Sequence, residues 1–262
     1  MSIAEDKSLS GLSCLLVMLM LLSSLPGKAL AAELRVAVAS NFLGALKALS
    51  AEFEGQTGHQ VKAISGSTGK LYAQIVNGAP YAVMLAADAE RPRLLEQDGL
   101  AVPGTRYTYA VGQLALWTPA SDLDDSQCRQ SLSDASLRHL AIANPKTAPY
   151  GAAAKQALQA LNKWQALESR LVRGENIGQA FRFVASGNAE SGFVALPQII
   201  NSGIEADGCR WIVPPTLHAP LEQQAVLLKR AKGNAAALAF LNFLTSPEAR
   251  SIIAAQGYSL PQ

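Results

Sequence analysis

Four short segments carry hydroxyl, amide and glycine residues where an apolar, strand-like run gives way to a helical pattern. They are Ala39-Ser40-Asn41, Ser65-Gly66-Ser67-Thr68-Gly69, Asn144-Pro145-Lys146-Thr147-Ala148-Pro149-Tyr150-Gly151 and Glu175-Asn176-Ile177-Gly178. A helix start exposes unpaired backbone N–H groups and the positive end of the macrodipole. Hydroxyls and glycines at such a start let an anion approach the backbone closely. Four starts around one cleft would enclose an anion with neutral donors alone. Taken singly, each also reads as ordinary capping, which Ser, Thr and Asn favour.

Other chemistries fit less well. Ser67-Thr68-Gly69-Lys70 matches the S-x-x-K pattern of serine acyl-enzymes, which makes an exported hydrolase using Ser67 and Lys70 the rival from another class. That pattern needs a Lys-Thr-Gly partner, and Lys146-Thr147-Ala148 fails it. Gly69-Lys70 is no phosphate loop, because Leu71 and Ile64 stand where Ser/Thr and Gly are required. His59, His139 and His218 are scattered without metal-ligand spacing, so no metal is expected. Asp88 and Glu175 form no acid/base pair and read as helix-start or surface residues, Lys70 as a solvent-facing helix lysine. Trp117, Trp164 and Trp211 read as packing residues.

The elements around these junctions alternate. Strand patterns at 34–39, 61–64 and 81–86 are interleaved with helical ones at 42–53, 69–76 and 89–98. This order favours a parallel, doubly wound sheet. A longer β-rich run at 107–117, containing Gly112, is suited to crossing between lobes. After a loop-rich stretch at 118–135, a second series begins, with strands at 139–143, 170–173 and 191–195 and helices at 152–161 and 178–186. Residues 211–213 lead back toward the first lobe, 223–229 form a strand, and helices at 235–244 and 247–256 close the chain. Two α/β series imply two lobes with a cleft between them, where ligands commonly bind.

Of 262 residues, 49% are apolar and 16% charged, with a net charge of +2 and no long basic run. An electrostatic footprint for nucleic acid is missing. Residues 11–25 are strongly apolar and precede Pro26-Gly27 and the small-x-small pattern Ala29-Leu30-Ala31. They read as a signal peptide over 1–31, although Glu5 and Asp6 beside Lys7 make the n-region an imperfect match. Its removal takes away two acids and two bases, so the charge stays +2. Cys14 precedes most of the apolar run, which argues against a lipid anchor. Cys128 and Cys209 remain, either as a disulfide suited to an oxidising compartment or as two unpaired thiols.

In order along the chain, Val38-Ala39-Ser40-Asn41-Phe42, Gly66-Ser67-Thr68-Gly69-Lys70-Leu71-Tyr72-Ala73-Gln74-Ile75, Asn77-Gly78-Ala79-Pro80 and Ala86-Ala87-Asp88 resemble the periplasmic molybdate-binding proteins of ABC transporters. So do Ala141-Ile142-Ala143-Asn144-Pro145, Ala148-Pro149-Tyr150-Gly151, Gly192-Phe193-Val194-Ala195-Leu196 and Gln256-Gly257-Tyr258, and together they cover essentially the whole mature chain.

The resemblance implies a type II periplasmic-binding-protein fold: two α/β lobes, each a mostly parallel sheet flanked by helices, joined by two crossover strands. The first lobe is expected at 32–110 and 216–262, the second at 111–215, with hinges near 110–112 and 215–220. It places the ligand at Ser40, Asn41, Thr68, Tyr150 and Ile177. Ser40 and Thr68 would offer hydroxyl and backbone donors, Tyr150 and Ile177 backbone N–H groups. Some members use a tyrosine in the segment that is Gly192-Phe193-Val194-Ala195-Leu196 here. None is present, and Asn41 takes its place as in the branch this chain most resembles. The implied protein is a periplasmic, monomeric receptor for molybdate or tungstate. It has no cofactor and no catalysis, and it serves the membrane permease of an ABC importer. A receptor for another oxyanion, such as sulfate, is the nearest alternative.

Overall fold

The computed structural model describes residues 31–119, 122–203 and 208–261. The expected signal peptide therefore lies outside the described residues, apart from Ala31.

Among the described residues the strands form two five-stranded sheets. The first contains β1 (Glu33–Ala39), β2 (Gln60–Gly66), β3 (Val83–Ala86), β4 (Tyr107–Gly112) and β10 (Leu221–Leu227), in the order β2-β1-β3-β10-β4. The second contains β5 (Leu114–Thr118), β6 (Leu140–Ala143), β7 (Leu171–Gly174), β8 (Ser191–Ala195) and β9 (Cys209–Ile212), in the order β7-β6-β8-β5-β9. This is the two-lobed α/β architecture. The sheets are mixed rather than mostly parallel. β1 pairs in parallel with β2 and β3, and β6 with β7 and β8, whereas β10 and β5 are antiparallel to both neighbours. The parallel pairs are joined by the helical crossovers that parallel strands need. β5 and β10 are the strands that arrive from the opposite sheet, and no crossover helix constrains their direction. Residues 211–213, expected to lead back to the first lobe, instead belong largely to the edge strand β9 beside β5.

Helices cover the sheets: α1 (Leu43–Thr57), α2 (Thr68–Val76) and α3 (Glu90–Gln97) in the first half; α4 (Pro149–Ala160), α5 (Trp164–Leu167), α6 (Ile177–Ala185) and α7 (Leu196–Ile200) in the second; α8 (Ala235–Phe243) and α9 (Pro247–Ala255) at the end. Helix α1 buries Ala45, Leu46, Leu49 and Phe53, the helical spacing of one apolar face. Phe53 meets Phe240 of α8 edge-on, with ring centroids 5.3 Å apart. In the second lobe Trp117 of β5 stacks on Phe181 of α6 at 5.3 Å.

Gln113 alone separates β4 of the first sheet from β5 of the second. The return path from β9 to β10 runs through Pro214, Pro215 and Pro220, which stiffen it. Ser259 pins the first crossover by exchanging backbone hydrogen bonds with Val111, 2.7 and 3.0 Å long.

Cys128 and Cys209 form a disulfide with Cα atoms 5.3 Å apart, tying the 3₁₀ turn Cys128–Ser133 to β9 across 81 residues of chain. Both cysteines are buried. Closing so long a loop constrains the unfolded chain. Replacing both with serine is expected to lower unfolding stability by about 2–4 kcal/mol in a urea titration.

Candidate functional site

Each strand that ends at the cleft delivers a helix start to it. β1 is buried over its last four residues and passes into a 3₁₀ turn, Ser40–Phe42. Phe42 is fully buried and meets Tyr109 and Tyr258 edge-on, with centroids at 4.8 and 5.1 Å. That apolar anchor holds Ser40 and Asn41 at the mouth of the sheet. β2 ends at Gly66, and Ser67 is the N-cap of α2. Ala87, just past β3, donates its N–H to Thr68 Oγ1 at 3.0 Å and so fixes the first residue of α2. In the second lobe, Asn144 turns the chain after β6 by accepting the N–H groups of Ala148 and Lys146. Pro149 then opens α4 with Tyr150 next to it. Asn176 caps α6, accepting the Gln179 N–H at 3.0 Å, and Ile177 is the first helical residue.

These four starts meet. Ser40, Asn41, Ser67, Thr68, Tyr150 and Ile177 all line one small cavity, together with Ala39, Gly66, Ala87, Ala148 and Pro149. All five residues expected from the sequence are thus brought together. The Thr68 oxygen already accepts from Ala87, so its O–H is free to donate into the cavity. Ser40 Oγ likewise accepts the Gly178 N–H at 3.3 Å and keeps its own proton to give. The backbone N–H groups of Tyr150 and Ile177 lie in first helical turns, where no intrahelical acceptor exists.

Two residues differ from expectation. Asn41 lines the cavity, yet its amide hydrogens go to Gln223 Oε1 at 2.8 Å and Tyr258 OH at 3.1 Å, while the Tyr258 hydroxyl donates to the Asn41 carbonyl at 2.7 Å. Its side chain braces the turn against β10 and the C-terminal segment, which leaves only its main chain for a ligand. Ser67 belongs to the second hydroxyl-rich junction but is not among the expected ligand residues, yet its Oγ is buried at 3% residue exposure, without a hydrogen-bond partner, in the cavity wall. Its position as the N-cap of α2 was the signal that pointed there.

No carboxylate, ammonium, guanidinium or imidazole lines the cavity. Tyr150 is its only titratable residue, and burial holds that hydroxyl well above the ordinary phenol range, so nothing in the wall changes charge near neutral pH. The Tyr150 ring points from α4 toward the crossover. A Cβ on Gly112 would stand 2.1 Å from its hydroxyl, so only glycine leaves room for it there.

The lobes touch around this cavity. Gly69 donates its N–H to the Thr147 carbonyl at 2.8 Å, Gly178 to Ser40, and Lys70 pairs with Glu175 across the cleft. Both ion-pair partners are about half exposed, and such pairs contribute at most about 1 kcal/mol. Lys70→Ala is therefore expected to weaken anion affinity by no more than about fivefold in isothermal titration. Ser67 Oγ makes no hydrogen bond to Lys70, the contact that a serine–lysine acyl-enzyme would use. Asp88 accepts the backbone N–H of Arg91 at the start of α3, as expected of a helix-start residue.

The sequence pattern of the bacterial extracellular solute-binding proteins matches residues 34–259. The chain belongs to that family. It is 49% identical to the molybdate-binding protein ModA of Azotobacter vinelandii over 230 residues, 88% of this chain and 91% of the relative. The corresponding protein of Rhodobacter capsulatus is 47% identical over 232 residues, 88% of this chain and 89% of the relative. The solved structure of the Azotobacter vinelandii periplasmic molybdate-binding protein superposes with a TM-score of 0.83 at 45% identity, covering 87% of this chain and all of that one. In this member the space between the lobes is a small cavity with donors on both sides.

Proposed function

We propose that this protein captures molybdate, or the nearly identical tungstate, in the periplasm and delivers it to the membrane permease of an ABC importer. It acts as a monomer without a cofactor and performs no catalysis. The observation that carries this reading is the make-up of the cavity: hydroxyls of Ser40, Ser67 and Thr68 and first-turn N–H groups of Tyr150 and Ile177, from both lobes, with no charged side chain among them. The two molybdate-binding relatives described above point to the same ligand.

A fully ionised tetrahedral dianion offers only acceptors, and a wall of donors satisfies it. Hydrogen bonds to a charged group contribute about 1.5–3 kcal/mol each, so several of them offset the loss of hydration without a counter-ion. Monoprotonated phosphate brings a hydroxyl that finds no carboxylate or other dedicated acceptor here and is disfavoured. Sulfate also offers only acceptors, so the fit of the cavity to the larger ion has to separate the two.

Thermal unfolding of ligand-stripped protein tests this. Molybdate or tungstate at 100 times Kd is expected to add about 2.7 kcal/mol of stability and to raise Tm by roughly 5–10 °C. Phosphate is expected to leave Tm unchanged. A rise with sulfate and none with molybdate would move the assignment to sulfate.

A further inference from the structure

A second, open groove lies between the lobes immediately outside the cavity. Ser40 and Asn41 line both spaces. At the start of α6 the two separate: Ile177 faces the cavity and Gly178, which donates to Ser40, faces the groove. The Ser40 hydroxyl and the Gly178 N–H, hydrogen-bonded at 3.3 Å, thus lie where the two spaces adjoin. The groove carries Lys47 from α1 and Arg182 from α6, one cation from each lobe, and no acidic residue. Both side chains are exposed, and among the described residues neither makes an ion pair or a side-chain hydrogen bond. Among the described residues eight other lysines and arginines are paired with acids, including Lys70 with Glu175 at the neighbouring lobe contact, so that Lys47 and Arg182 keep their charge free for an incoming anion.

We infer that this groove is the capture vestibule of the protein, where Lys47 and Arg182 concentrate a small oxyanion before it passes Ser40 and Gly178 into the cavity. The inference rests on the proposed oxyanion reading of that cavity. The two spaces divide the work by their chemistry. Neutral, dehydrated donors inside hold the ion, and exposed cations outside draw it in. A cleft of one charge sign raises the local concentration of its counter-ion and the association rate, and salt screens that effect over roughly 8 Å at physiological ionic strength. Charges left outside the final site act on association and leave dissociation alone.

Stopped-flow fluorescence with molybdate tests this on the mature protein, with Lys47→Gln, Arg182→Gln, the double variant, and Lys232→Gln as a single change of charge, matching each single variant, at an exposed lysine outside the groove. The double variant is expected to associate about three- to tenfold more slowly at low salt, with a flatter salt dependence and an unchanged dissociation rate. Lys232→Gln is expected to associate like the wild type. Equal rates for the double variant and Lys232→Gln would overturn the vestibule, as would a loss of affinity carried by faster dissociation. If the wild type itself gave no signal with molybdate or tungstate, the reading of the inner cavity would fall first, and this one with it.

Discussion

Thr68→Val is expected to weaken molybdate binding by roughly 10- to 100-fold in isothermal titration. The two side chains have nearly the same shape, so the fold and the closure of the lobes are preserved. Two hydrogen bonds are not. The variant loses the O–H that faces the cavity, and it leaves the buried Ala87 N–H, now 3.0 Å from Thr68 Oγ1, without an acceptor. Losing a hydrogen bond to a charged group costs about 1.5–3 kcal/mol, which is the expected fold-change. Thr68→Ser keeps the oxygen and should recover most of the affinity. An unchanged affinity in Thr68→Val would mean that the ion does not use this hydroxyl.

Gly69→Ala acts by another route and is expected to be comparably damaging. Gly69 sits where α2 of the first lobe meets the turn before α4 of the second. A Cβ there would stand 2.9 Å from the Thr147 carbonyl oxygen and 3.1 Å from its Cα. Both are backbone atoms of a turn braced by Asn144, so they yield poorly. The 2.8 Å bond from the Gly69 N–H to that carbonyl would stretch as the lobes are held apart. Overpacking of this kind costs about 1–3 kcal/mol, or roughly a 5- to 150-fold loss of affinity. The penalty falls on the closed form alone. Unfolding stability without ligand should therefore stay near wild type, while small-angle scattering with saturating molybdate should show a more open molecule. Wild-type affinity in Gly69→Ala would show that the lobes do not need this contact to hold the ion.

Much of this arrangement was legible in the sequence. Strand-to-helix junctions rich in Ser, Thr, Asn and Gly mark where backbone donors are exposed, whereas Ser40, Thr68, Tyr150 and Ile177 are singled out within those junctions by the family resemblance. The order of the elements also gave two α/β series. What escaped depends on contacts between residues far apart in the chain. The side chain of Asn41 is occupied by Gln223 and Tyr258, 182 and 217 residues away, and no local pattern announces that. The antiparallel placement of β5 and β10 follows from strands changing sheets at Gln113 and after Ile212, which hydrophobic patterning does not encode. Cys128 and Cys209 left two readings open until their Cα separation decided for the bridge. Lys70 looked like a surface lysine and is one, but its acidic partner Glu175 belongs to the opposite lobe.

The central claim is that neutral hydroxyl and amide donors from both lobes surround the anion. Crystals grown with molybdate, measured at the molybdenum absorption edge, test it most directly, because the anomalous signal locates the metal atom. The account predicts a single strong peak between the starts of the four helical segments, with oxygens in hydrogen-bond reach of Ser40, Thr68, Tyr150 and Ile177. A peak beside a lysine or arginine instead, or one outside the space shared by the two lobes, would contradict it.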